Sequence, residues 1–67
     1  MSDFAERLKE LRIEKNLSIK QLAKEIGVSD VAIGRWERKT RIPNIDSLII
    51  LAKYFHVSTD YLLGLED

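Results

Sequence analysis

Val31, Arg35 and Arg38 recur at steps of four and three residues, so a helix through them carries a branched apolar side chain and two guanidiniums down one side. The Arg35 guanidinium can bond both major-groove acceptors of a guanine, and Val31 can rest against a thymine methyl. The chemistry on offer is recognition of base edges. Other chemistry is sparsely provided for. The 67-residue chain has a single histidine, His56, and no cysteine, which leaves no ligand set for a metal ion. There is no glycine-rich phosphate loop, and the carboxylates are scattered, so neither catalysis nor a cofactor is expected.

The elements that must position this stripe are legible in the run from Leu17 to Pro43. Ser18 precedes an apolar run with Gln21 three positions on, the pattern in which each side chain satisfies an amide at the other's end of the first turn. Leu22, Ala23 and Ile26 then share one face, and Gly27 follows as a residue that takes a left-handed conformation without a Cβ clash. Val28 fits the corner and Ser29 caps a second helix, whose inward face is set by Ile33 and Trp36. At about 100° per residue, Val31, Arg35 and Arg38 point roughly opposite to Ile33. Ala23 and Gly27 are small where the two helices must cross. Trp36 shares its face with Ile33, so it is expected in the core and not as a stacking aromatic.

Three further helices complete an all-α chain with no strands. The first is expected from about Asp3 to Lys15, with Phe4, Leu8 and Leu11 on one face and Asn16 as its left-handed end. After a loop from Lys39 to Asn44, in which Pro43 blocks continuation, Asn44 caps a fourth helix burying Leu48, Leu51, Ala52 and Phe55 and ending near His56. Ser58 caps a short fifth that carries Leu62 and Leu63. The expected architecture is a single five-helix domain over 1–67, with the helix-turn-helix at about 18–38.

Net charge is zero, which argues against a partner as acidic as nucleic acid until the distribution is considered. Residues 20–41 hold six cations (Lys20, Lys24, Arg35, Arg38, Lys39, Arg41) against three anions, whereas residues 42–67 hold Lys53 against four. The positive part coincides with the helix-turn-helix. The acidic start and the absence of a long apolar stretch give no signal peptide or membrane span, so a cytoplasmic protein without membrane contact is expected.

Leu22-Ala23, Gly27-Val28-Ser29, Ile33, Trp36-Glu37, Pro43, Leu48 to Ala52, Val57-Ser58 and Leu62-Leu63-Gly64 together resemble the Cro and phage-repressor (XRE-type) family across nearly the whole chain. The resemblance implies a lambda-repressor-like fold and a sequence-specific regulator of transcription, a repressor that binds double-stranded DNA. In such a protein the N-terminal part of the second helix of the motif meets base edges, which makes Ser29, Asp30, Val31, Gly34 and Arg35 the candidate readers. Ser18, Lys20 and Gln21 on one side, and Arg38, Lys39, Thr40, Arg41 and Asn44 on the other, are placed for phosphates. Three positions depart from the family pattern. Ile19 replaces the usual bracing glutamine, Asp30 is acidic where neutral or basic residues are common, and Lys39 replaces the glycine that ends the helix. Asp30 either accepts from a cytosine or complements the helix dipole. The alternative function is a protein-interaction or dimerisation module on the same fold, in which DNA binding is absent or subordinate.

Arg12 falls on the face of Leu8 and Leu11, and Glu37 lies only about 40° from Ile33, so both charges lean inward and are expected to pair. The family normally binds as a homodimer to a palindromic operator. Ile50, Tyr54, Tyr61 and Leu65 are the candidate dimer surface.

Overall fold

The computed structural model describes residues 3–67, which form five helices: α1 (Phe4–Glu14), α2 (Ile19–Ile26), α3 (Asp30–Glu37), α4 (Ile45–Phe55) and α5 (Thr59–Leu62). No strand occurs among the described residues. Each helix begins on a side chain that accepts an amide the helix cannot satisfy itself: Asp3, Ser18, Ser29, Asn44 and Ser58, each three residues ahead of its donor. At α2 the cap is reciprocal. Gln21 N donates to Ser18 Oγ at 3.0 Å, and Ser18 N donates to Gln21 Oε1 at 2.8 Å. Asp3 and Glu6 do the same at α1, so Asp3 and Lys15 flank that helix and are not members of it.

The helices also end alike. A left-handed residue follows each one, namely Asn16, Gly27, Lys39, His56 and Gly64. The next amide then reaches back five residues, as in Val28 N to Ala23 O at 3.2 Å and Val57 N to Ala52 O at 3.0 Å. Three of the five left-handed residues carry a Cβ that this conformation crowds. His56 is exposed, with φ 56°, and its side chain has no partner among the described residues. His56→Gly is therefore expected to raise stability by roughly 0.5–1 kcal/mol, the relief of crowding less the extra freedom of an unfolded glycine, as read by urea denaturation.

One side chain from each helix is completely buried: Leu8, Leu22, Ile33, Leu51 and Leu62. Around them pack Ala23, Ile26, Trp36, Ala52 and Phe55, with Phe4 meeting Trp36 edge-on at 6.4 Å between ring centroids. Trp36 is 6% exposed and is a core residue. Leu63 departs from expectation. α5 stops at Leu62, so Leu63 is its cap and turns outward, 43% exposed.

Arg7 is buried at 7% exposure. Its Nη1 donates to the carbonyls of Tyr61 and Glu66, and the guanidinium lies 4.2 Å from the Tyr61 ring centroid, fastening α1 to the chain after α5. The burial is tolerable because the guanidinium meets oxygen acceptors and an aromatic face.

Candidate nucleic-acid interface

α3 is held from both ends. At its start, Gly27 at φ 74° turns the chain out of α2, and Ser29 Oγ accepts from Ala32 N at 3.1 Å. At its end, Arg12 Nε and Nη2 donate to the two carboxylate oxygens of Glu37 at 2.7 and 2.9 Å, while Arg12 Nη1 donates to Leu17 O at 2.8 Å. The side chains of this pair are 11% and 7% exposed, and the hydrogen bonds to the Glu37 carboxylate raise the Arg12 pKa above the usual guanidinium range. A bidentate pair of this kind fixes orientation as well as distance. It sets where α3 sits on α1.

With Ile33 and Trp36 in the core, α3 turns Val31, Arg35 and Arg38 outward. Val31 is 55% exposed, and both arginines are exposed with no ion pair among the described residues. Asp30 stands half-buried in the first turn, beside the positive end of the helix dipole, with no ion pair among the described residues. Gly34 is buried beneath Arg38, so the structure does not bring its backbone to the open face.

The flanking positions divide by whether a donor remains. Ser18 and Gln21 satisfy each other's backbone amides through their oxygens, which leaves the hydroxyl proton of one and the amide protons of the other to face outward. Lys20 is exposed beside them. Asn44 Oδ1 accepts from Ser47 N, and Asn44 lines a cleft of about 330 Å³ together with Arg35 and Arg41. Thr40 is different. Its hydroxyl donates to Arg35 O at 3.2 Å, and its one side-chain donor is thus committed to the end of α3.

Two of the departures acquire physical reasons. Ile19 is half-buried against the core, turned inward from the first turn of α2. Lys39 adopts the left-handed conformation at φ 66° despite its Cβ, and its Nζ pairs with Asp3 Oδ2 at 2.9 Å across the start of α1. The Asp3 carboxyl is held below its ordinary 3.8, first by the Glu6 amide and then by Lys39. Asp3's contribution is therefore present above that value and lost as pH falls through the lower folded one. Both side chains are more than half exposed, so the contact is weak and screened by salt.

The expected dimer surface is only partly assembled. Ile50 is 41% and Leu65 72% exposed. Tyr54 is half-buried, with its hydroxyl donating to Glu25 and Lys15 over its ring, and Tyr61 lies under Arg7. The most exposed large apolar side chains lie elsewhere, at Ile42 (85%) and Ile45 (75%) on either side of Pro43. Ile42 lies in the loop before α4, which has no face to assign, and Ile45 is the first residue of α4.

Comparison with known proteins places this geometry. A helix-turn-helix family model matches residues 8–62. Repressor protein C2 of Salmonella phage P22 is 47% identical over 62 residues, covering 90% of this chain and 28% of that protein. The control protein C.SmaI of Serratia marcescens is 42% identical over 60 residues, covering 90% of this chain and 71% of that protein. The transcriptional activator BcrR of Enterococcus faecalis is 43% identical over 65 residues, covering 97% and 32%. Among solved structures, the P22 c2 repressor in complex with a synthetic operator superposes with a TM-score of 0.90 at 36% identity, over 98% of this chain and all of that one. Seven of eight curated relatives are considerably longer, the chain spanning 28–57% of their length.

Proposed function

From the premise that this chain belongs to the helix-turn-helix family, of the XRE type, we propose that it is a sequence-specific regulator of transcription that binds double-stranded DNA with α3 in the major groove. The observation that carries this is the outward stripe of α3. Two guanidiniums without ion-pair partners among the described residues and an exposed valine stand on a helix whose opposite face is locked into the core. Exposed unpaired arginines on a rigid helix are suited to bidentate contact with guanine, and a core-anchored helix presents them in one orientation.

Ser29, Asp30, Val31 and Arg35 are the base readers in this proposal, with Arg35 foremost. Ser18, Lys20 and Gln21 take phosphate on one side of the groove, and Lys39, Arg41 and Asn44 take it on the other. Lys39 must exchange Asp3 for that phosphate, an inexpensive step for so exposed a pair. One helix of eight residues reads few base pairs. The protein therefore acts as a homodimer on a palindromic operator, with half-sites about 34–36 Å apart along the duplex. Likeness to the phage repressor supports repression, exerted in the cytoplasm by occupying the site.

Selection of the chain's preferred duplex from a random pool, followed by titration across salt concentrations, tests this. The expected result is an enriched two-fold symmetric sequence bound with a steep inverse dependence on salt. Failure to enrich any duplex at low salt, with the fold intact, would instead favour a protein-interaction module. Its natural docking point is the exposed Ile42–Ile45 segment.

A further inference from the structure

Gly34 lies on the outer half of α3, where a side chain would be solvated, yet it is buried. A Cβ built there would stand 3.0 Å from Arg38 Nη1, 3.6 Å from Nη2 and 3.7 Å from Cζ, so the Arg38 guanidinium rests across the bare backbone. Side chains of a helix lean toward its N-terminus, and Arg38, one turn beyond Gly34, follows this direction back along α3. The head group therefore does not extend from the helix exit, where phosphates would lie. It sits in mid-helix, with Asp30 one turn further along the same ridge and Val31 and Arg35 on the ridge beside it. No ion pair engages it among the described residues.

We infer that Arg38 is a specificity-determining residue that meets a base edge beside Arg35, and that Gly34 is the seat that brings its guanidinium there. The inference rests on the DNA-binding function proposed above and reassigns Arg38 from the phosphate role expected of a helix exit. Two adjacent guanidiniums on the reading face can each engage a guanine, so the recognised half-site holds two arginine-dependent positions. A lysine is a poorer substitute, because its ammonium is a point charge without the planar fork that matches both acceptors of a guanine.

The test uses the selected duplex and a panel in which each base pair is varied in turn, titrated with the full chain. Arg38→Lys is expected to keep the salt dependence and lose about 5-fold or more of the discrimination at one position, distinct from the position relaxed by Arg35→Lys. Gly34→Ala forces the guanidinium to give by a few tenths of an ångström. It should weaken preference at that same position alone, without lowering the melting temperature, since alanine favours the helix. If Arg38→Lys retains every wild-type preference, while Arg38→Ala weakens all duplexes alike and lowers the salt slope by about one, Arg38 is a phosphate contact and the inference is overturned. Unchanged preferences in Gly34→Ala overturn the role of the seat. A wild-type protein that enriches no duplex overturns the DNA-binding function itself, an outcome distinct from the other two.

Discussion

Glu37→Ala is expected to lower the melting temperature by roughly 12–24 °C, followed by circular dichroism. Removing one partner of a buried ion pair leaves the other charge uncompensated, at a cost of about 3 kcal/mol even at the low end of the usual range. In a domain of this size each kcal/mol moves the transition by about 4–8 °C. The low end applies because the side chains remain 11% and 7% exposed. All three donating directions used by Arg12 are directed at oxygens, two on Glu37 and one on Leu17, so the alanine variant strands a guanidinium that the fold has already taken out of water. Arg12→Met combined with Glu37→Leu should recover most of the loss, because apolar replacement of both partners removes the desolvation cost along with the attraction. Salt separates this pair from the exposed one. Raising sodium chloride to about 1 M should leave the Glu37 effect nearly intact while abolishing any effect of Lys39→Ala. A Glu37→Ala variant melting within about 3 °C of the parent would show that the pair sets orientation without stabilising the fold.

The caps, the turn at Gly27 and the inward face of each helix were legible because each is fixed by residues within one or two turns. Ser18 and Gln21 need only each other, and Gly27 needs only its own φ. Arg12 and Glu37 could be paired across 25 positions because both depart from the polarity of the helix face they occupy. Arg7 could not be found in this way. Its acceptors are backbone carbonyls at the far end of the chain, and carbonyls leave no mark on residue type. The cover on Tyr61 was illegible for the same reason, since the cation over its ring comes from α1. At Lys39 the family's usual glycine is absent, and the fold accepts a strained residue, with the amide of Thr40 bonded to Arg35 O in the same closing motif that glycine makes after α2. Leu63 shows the limit of boundary prediction, because the fifth helix ends one residue short of it and it stands 43% exposed as the cap.

Arg35→Ala is expected to reduce affinity for the selected duplex by roughly 5- to 150-fold, the span that corresponds to about 1–3 kcal/mol for a bidentate base contact. The substitution should be nearly silent in the fold. The Arg35 side chain is exposed, and the bonds that close α3 use its carbonyl, which accepts from Thr40 N at 3.0 Å and Thr40 Oγ1 at 3.2 Å and which alanine retains. Melting temperature thus serves as the control, and fluorescence anisotropy on the selected and a scrambled duplex is the measurement. A base reader loses affinity mainly on the selected duplex, whereas a phosphate-binding residue loses it on both and flattens the salt dependence by about one unit. Arg35→Lys sharpens the distinction. It keeps the charge and hence the salt slope, but an ammonium lacks the planar fork that matches both guanine acceptors, so sequence preference should still fall. Undiminished discrimination between the two duplexes by both variants would remove Arg35 from the reading face and leave the specificity to Val31 and Arg38.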